Sequence, residues 1–390
     1  MKKTIIVALL GLVFLNIVVP SIHWTIIRIP DDFSTFYCAS VAEKIGVYPW
    51  TFDQLQKMTG CEGTDTPFLY PPYFLLLTRW FTVIEKKTAF FVWQSVNLAL
   101  GLSAIILIQR KSRASWISLL MFLSVFESPF LNFRGGQVNL TVLFLISLAV
   151  YLKNGAALTI AGAIKMSPAI LLVPWVLQKK WRPLATAAAT FLCLAGITCL
   201  IFSPEEQWRF FTKVLPQFKN GFLQLEIPLF SAEHHSLSRL VDGVWPSQTN
   251  GRLSRPAELV FRFIDLSILA GLTHLSWVSR KRPSVYLSGA WLAFMTIAPT
   301  FTWGAHLVFI LIPIASVMAA LEKNLLTGYW VVATTLALVT LMVPFAYLRF
   351  PGFYFPETDW LMRDLKLIAI LTIGVTCLEL HRTQNPPSSN

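Results

Sequence analysis

The chain has 390 residues, of which 55% are hydrophobic and only 13% are charged, and its formal net charge is +12. Soluble domains contain about 25% charged residues, so this composition excludes an ordinary soluble protein and predicts an integral membrane protein. The basic excess does not indicate a nucleic-acid partner, because no run of Lys and Arg is interleaved with aromatic residues. It is typical of membrane orientation and of contact with anionic membrane lipids.

The N-terminal stretch MKKTIIVALLGLVFLNIVV joins two lysines to a long apolar segment. Secretory signals have this form, but no small-x-small cleavage site follows in PSIHW. We therefore predict a retained signal-anchor helix, with Lys2 and Lys3 holding the N-terminus in the cytoplasm.

Further apolar segments, long enough to cross or half-cross a bilayer, recur along the chain. They predict an all-α polytopic fold in a single domain, 1–390, with about twelve transmembrane or half-membrane helices. The candidate spans are 4–24, 87–109, 114–128, 137–152, 155–165, 167–178, 183–203, 259–279, 284–300, 304–321, 325–347 and 362–380.

The segments 155–165 and 167–178 are split at Lys165 by the sequence KMSP. One continuous crossing would place Lys165 near the bilayer centre and would separate the basic flanks Lys153 and 179–182. Two short broken helices return both flanks to the same side, which the positive-inside rule favours.

With this choice, both termini lie in the cytoplasm, and the protein belongs to the inner or plasma membrane. The long segments 25–86 and 204–258 become extracytoplasmic loops, and the polar tail 381–390 is expected to be disordered.

This topology collects polar residues from separate segments at the extracytoplasmic face. Ionisable groups at a membrane are costly and are functional candidates by default. The residues are Asp31, Asp32, Arg134, Gln137, Asn139, Lys165, His234, His235, Trp303 and His306.

Several stretches, in order, resemble glycosyltransferase family 87. They are DFSTFYCAS, FLYPPYFLLL, RGGQVNL and AGAIKMSPAILLVPWVL, with weaker similarity at HHSL and TWGAH. The similarity is dense over 30–182 and thin beyond, and His234-His235-Ser236 stands where an Asn-Gln-Ser-like run is expected. The family comprises GT-C membrane enzymes that include polyprenol-phosphate-mannose-dependent α-mannosyltransferases.

The resemblance implies a GT-C fold, an extracytoplasmic active site and an inverting transfer of a sugar, with mannose expected. The donor would be a polyprenyl-phosphate sugar and the acceptor a lipid-linked or other glycan, with no cofactor. Such a reaction needs one base for the acceptor hydroxyl and cationic groups for the departing phosphate. Asp32 matches the Asp-Phe-x-x-aromatic-Tyr pattern of the family, which Phe36 and Tyr37 complete.

Each candidate also has a structural interpretation. Asp31 is the alternative candidate for the base. Asp31 and Asp32 could instead simply open a helix, with Asp31 as its N-cap, and both roles are compatible if Asp31 caps the helix that carries a catalytic Asp32. Lys165 is expected to bind the donor phosphate, or else to snorkel to the surface.

Arg134 is a second phosphate candidate or a loop arginine at a headgroup. His306 could polarise the phosphate, position the acceptor or be a core histidine.

Gln137, Asn139, His235, Trp303 and Tyr37 are candidate donor or acceptor contacts, and Asn139 could instead cap or bond between helices. Adjacent His234 and His235 rarely form a closed metal site without a third ligand, so no metal is expected. Cys38 and Cys61 share an extracytoplasmic loop, where a disulfide can form.

Two other functions stay open. A lipid-linked-sugar transporter or flippase would place polar groups on both faces and relate its halves by approximate symmetry. A glycan polymerase or ligase would use a polyprenyl-diphosphate donor and large outer loops, which 204–258 partly offers. The sequence does not fix the oligomeric state.

Overall fold

The structure, a computed structural model, describes residues 2–27, 29–50, 61, 68–218, 235–245, 253–299, 302–343 and 359–385. In these residues the regular structure is helical and contains no β-strand. The all-α fold class predicted from the sequence is therefore confirmed.

The elements of the N-terminal half are mainly α-helices with short 3-10 or π segments at their junctions. They are α1 (Lys2–Val13), a π turn (Phe14–Val18), α2 (Val19–Ile27), α3 (Asp31–Lys44), α4 (Pro72–Thr78), a 3-10 helix (Arg79–Val83), α5 (Lys86–Ser112), α6 (Trp116–Leu123), α7 (Ser128–Gly135), α8 (Asn139–Leu152), α9 (Gly155–Ile164), a 3-10 helix (Ser167–Leu171) and α10 (Leu172–Leu177).

The C-terminal half also consists mainly of α-helices with short 3-10 or π segments. It contains α11 (Trp181–Phe202), α12 (Pro204–Arg209), a π turn (Phe210–Val214), α13 (Leu215–Phe218), α14 (Leu237–Val244), α15 (Arg255–Val278), α16 (Val285–Ile297), a 3-10 helix (Gly304–Ile310), α17 (Leu311–Glu322), α18 (Tyr329–Met342) and α19 (Asp359–Gln384).

Five helical segments of the described chain are long and apolar enough to cross a membrane: Lys2–His23, Lys86–Ser112, Trp181–Phe202, Arg255–Val278 and Gly304–Glu322. The bent pair α6 and α7 brings the number to six if it counts as one span. Five shorter apolar helices of 10–17 residues accompany them. The number of crossings and their sidedness therefore stay predictions.

Burial separates a lipid-facing shell from a protein core. Helices α1, α11 and α15 expose most of their apolar side chains, as Leu200 and Phe263 illustrate, because no other element of the described residues covers them. Helix α16 and the segment Gly304–Glu322 are almost wholly buried. The residues that begin the latter segment lead directly into the candidate site.

Helix α19 carries charges into this core. Asp364 and Lys366 are buried, and they pair with Arg239 of α14 and with Glu127, which immediately precedes α7. Buried charges are tolerated where each has a partner, so α19 is fixed between elements from both halves of the chain.

Two details bear on the sequence predictions. The helix break predicted at Lys165 is present: α9 ends at Ile164, Lys165 is extended, and a 3-10 helix follows from Ser167. The tail was predicted to be disordered from 381, but α19 continues to Gln384, because its last turns stay packed through the buried His381. Residues 386–390 lie outside the described chain.

Candidate active site

Asp32 lies in the first turn of α3, where its carboxylate is held by an amide. Gln137 Nε2 donates to Asp32 Oδ2 at 2.6 Å, and the Tyr70 hydroxyl donates to Gln137 Oε1 at 3.2 Å. In this series of hydrogen bonds, each group donates or accepts as its chemistry allows. Asp32, Gln137 and Tyr70 are partly buried, so they lie at a surface that a substrate can reach.

The RGGQ turn brings α7 against the start of α3. A Cβ on Gly135 would lie 3.0 Å from Asp32 Oδ2, and a Cβ on Gly136 would lie 2.8 Å from Cβ of Phe33. Gly136 also has φ +67°, which favours glycine. These two glycines therefore permit the approach that places Gln137 on the carboxylate.

Aromatic packing fixes the other side of α3. The Phe33 ring lies 5.1 Å from Phe81 and 5.0 Å from Phe90, between ring centroids. The buried indole of Trp93 donates to the carbonyl of Gly136 at 2.8 Å. The aromatic residues of the family-like pattern thus hold the helix that presents Asp32.

Lys165 and His306 form the cationic side of the site. Lys165 Nζ lies 2.6 Å from His306 Nε2, although 141 residues separate the two in sequence. The same Nζ lies 5.7 Å from the centroid of the Tyr70 ring. Tyr70 therefore stands between the Asp32–Gln137 pair and the Lys165–His306 pair.

The backbone sets the tautomer of His306. The Trp303 N–H donates to His306 Nδ1 at 3.1 Å, so a neutral imidazole carries its proton on Nε2. Lys165 Nζ and His306 Nε2 share one hydrogen bond, and an anionic phosphate would favour the protonated form of the pair.

The surroundings of Asp32 shift its acidity. Burial raises the pKa of Asp32 to about 6, the Gln137 hydrogen bond and the Lys165 charge lower it, and the charge of Asp31 raises it further. A carboxyl group with a pKa near the operating pH is suited to general base catalysis.

Asp31 is not the N-cap that the sequence suggested. Pro30 occupies that position with an extended backbone, and its carbonyl accepts the Ser34 N–H at 2.9 Å. Because the helix begins one residue earlier, Asp31 is the first helical residue, and Pro30 makes no side-chain cap. The influence of Asp31 on the site runs through its charge.

The other predicted residues are distributed around this centre. Arg134 is exposed in the last turn of α7, three residues before Gln137. Trp303 contributes its backbone N–H to His306. The Tyr37 hydroxyl donates to the Ile84 carbonyl at 3.3 Å, which directs it toward the 3-10 helix rather than toward Gln137.

Asn139 and His235 are buried rather than surface-lining. Asn139 Nδ2 donates to the Ala305 carbonyl at 3.4 Å, and the His235 N–H donates to the Thr302 carbonyl at 2.7 Å. Both contacts support the loop that leads to His306. His234 lies outside the described residues.

The sequence alone does not assign a role to two residues of the network, Tyr70 and Asn132. Tyr70 lay within the family-like stretch FLYPPY, which was the available signal. Asn132 donates to the Ala305 carbonyl at 2.7 Å, and only the folded chain brings these positions together.

No group of three His, Cys, Asp or Glu side chains in the described residues is arranged to hold a metal ion. Cys38 of α3 forms a disulfide with Cys61. This bond fastens the middle of the helix whose first turn carries Asp32.

Long apolar helices, one partly buried carboxylate and a lysine–histidine pair define the class as a helical membrane protein with a polar cluster. The sequence profile of glycosyltransferase family 87 matches residues 68–344, which is most of the chain. The chain therefore belongs to glycosyltransferase family 87. Gln137, Lys165 and His306 lie inside the matched region, whereas Asp32 precedes it.

Two curated relatives are polyprenol-phosphate-mannose-dependent alpha-(1-2)-phosphatidylinositol pentamannoside mannosyltransferases. The one from Mycolicibacterium smegmatis is 25% identical over 162 residues, covering 38% of this chain and 38% of the relative. The one from Mycobacterium tuberculosis is 23% identical over 163 residues, covering 38% of this chain and 37% of the relative. The similarity thus spans less than half the length of these relatives. No solved structure matches the chain.

Proposed function

We propose that the protein is an inverting glycosyltransferase that moves a sugar, mannose in our assignment, from a polyprenyl-phosphate donor to a lipid-linked or other glycan acceptor. Asp32 is the base, and Lys165 and His306 receive the donor phosphate. The relatives' names support the donor class, and the family supports sugar transfer.

The observation that carries this proposal is the pairing of one half-buried carboxylate with one lysine–histidine pair across Tyr70. In an inverting transfer, the acceptor oxygen attacks the anomeric carbon as the bond to the phosphate oxygen breaks on the opposite face. The acceptor proton passes to Asp32. The phosphate leaves as an anion, which cations stabilise without having to protonate it.

The arrangement also argues against a retaining hydrolase. Such enzymes place two carboxyl groups about 5–5.5 Å apart on opposite sides of the sugar. Here Asp31 follows Pro30 and precedes Asp32 on the same helical turn, so the pair cannot flank a glycosidic bond. In our proposal the site is extracytoplasmic, both termini are cytoplasmic, and transfer needs neither a metal nor a cofactor.

The test is sugar transfer by purified protein in lipid bilayers, with polyprenyl-phosphate mannose as donor and a chelator present. We expect transfer with inversion at the anomeric carbon. A product that retains configuration, or transfer from a nucleotide sugar alone, would overturn the proposal.

A further inference from the structure

We propose that Asn132 is a positioning residue that sets the base side and the phosphate side of the site relative to each other. The inference rests on the proposed function for its kinetic consequences. Asn132 lies in α7 and is 1% exposed, so it touches neither donor nor acceptor. Its effect must pass through the groups that it holds.

On the phosphate side, the Asn132 side chain holds the loop before His306. Asn132 Nδ2 donates to the Ala305 carbonyl at 2.7 Å and to the Ser128 carbonyl at 2.9 Å, so both amide hydrogens are used. Ser128 Oγ, at 3.2 Å, and Asn139 Nδ2, at 3.4 Å, donate to the same Ala305 oxygen over longer distances. Asn132 makes the shortest of the three bonds.

On the base side, the Asn132 backbone holds Gln137. Its carbonyl accepts the Gln137 N–H at 2.9 Å, which closes the turn containing Gly135 and Gly136. Gln137 then reaches Asp32 with its side chain. One residue is thereby bonded both to the peptide preceding His306 and to the partner of Asp32.

This double attachment has a distinctive consequence. If the Asn132 amide is lost, Ala305 keeps only its longer bonds to Ser128 and Asn139, and both Gln137 and His306 are held less firmly. Loss of the Gln137 hydrogen bond removes a contribution that stabilises the ionised form of Asp32. Loss of the His306 position weakens capture of the phosphate.

The experiment compares Asn132→Leu and Asn132→Ala with matched changes at Asn97. Asn97 is also 1% exposed, donates to the Trp93 carbonyl at 3.2 Å and accepts from Thr141 at 2.8 Å. It is a buried amide that bridges two helices, and these two hydrogen bonds do not involve the side chains of Asp32, Gln137, Lys165 or His306. Thermal unfolding is used to choose an Asn132 variant and an Asn97 variant that lose the same amount of stability.

The first readout is the ionisation of Asp32, which is monitored by infrared spectroscopy during a pH titration. The carboxyl band of Asp32 is identified as the band that is missing in Asp32→Asn. We expect the Asn132 variants to titrate about one pH unit higher than the wild type, since a lost hydrogen bond to the charged form raises an acid's pKa. The Asn97 variants are expected to titrate like the wild type. An unchanged midpoint in folded Asn132 variants would overturn the proposal.

The second readout is kinetic. We expect the Asn132 variants to combine a roughly tenfold lower kcat with a higher KM for polyprenyl-phosphate mannose, while the Asn97 variants keep both values. Equal changes of kcat and KM in the Asn97 and Asn132 variants would show that Asn132 only stabilises the fold, and would overturn the proposal. Absence of transfer by the wild type would refute the proposed function, and the infrared titration would still decide the role of Asn132.

Discussion

The Gln137 amide donates to the Asp32 carboxylate at 2.6 Å across 105 residues of sequence. This bond leaves the other carboxylate oxygen, Oδ1, for a substrate proton and orients the group in its turn of helix. It also favours the ionised form of a carboxyl that burial makes less acidic. Asp32 is thus kept both oriented and titratable near neutral pH.

Replacing Asp32 by Asn should lower kcat by a factor of about 10²–10⁴, the usual contribution of a positioned base. Donor binding should be largely retained, because the proposed phosphate ligands Lys165 and His306 are on the other side of Tyr70. Single-turnover kinetics and binding of a polyprenyl phosphate measure the two effects. Asp31→Asn is the matched control and should remain active. Full activity in Asp32→Asn would remove the central assignment.

The pH dependence of transfer should report the Asp32 carboxyl. Because burial raises the pKa of Asp32 to about 6, the base is ionised above that pH and protonated below it. We expect kcat/KM to be level above about pH 7 and to fall toward tenfold per pH unit below about pH 5. Asp31→Asn should move the acidic limb to lower pH, since it removes a like charge. An acidic limb at the same pH in Asp31→Asn and in the wild type would contradict the electrostatic coupling between Asp31 and Asp32.

Lys165→Ala should weaken binding of the donor, because it removes the cation that an anionic phosphate would pair with. His306→Gln should weaken binding less, since its amide oxygen can accept from the Lys165 ammonium and its amide N–H can donate to the phosphate. Equilibrium binding of polyprenyl phosphate to protein in nanodiscs measures both. Donor affinity equal to that of the wild type in Lys165→Ala would exclude a phosphate role for this lysine.

Gly136→Ala should reduce both stability and activity. The added Cβ would meet Phe33 at 2.8 Å and Pro30 at 2.9 Å, and the backbone has φ +67°. Gly196→Ala is the control: Gly196 is exposed in α11, and nothing lies within 4 Å of its added Cβ. We expect a lower unfolding temperature only for Gly136→Ala, and an equal temperature for the two variants would argue against the close approach.

The sequence predicted the features that depend on local pattern. Hydropathy located the helical segments, and the KMSP sequence located the break at Lys165. The same pattern could not show that Lys165 meets His306 or that Asn132 meets Ala305, because these pairs are 141 and 173 residues apart. The sequence around Asn132 does not indicate whether its side chain faces solvent or a distant carbonyl group.

The N-cap of α3 illustrates a smaller limit. Asp is a preferred N-cap residue, and the prediction placed Asp31 there for that reason. Proline has no N–H and a fixed φ, so it fits a helix start equally well. Pro30 takes the cap position, and both aspartates enter the first turn.

The buried ion pairs of α19 have a consequence for biogenesis. With Asp364 and Lys366 in its N-terminal part, α19 is not among the described segments apolar enough to cross a membrane by composition alone. Both counter-charges, Arg239 and Glu127, lie upstream and are synthesised first. Helix α19 is therefore synthesised after both partners, and we expect its integration to be coupled to docking against them. Removing either counter-charge should then appear first as failed membrane integration of the last helix.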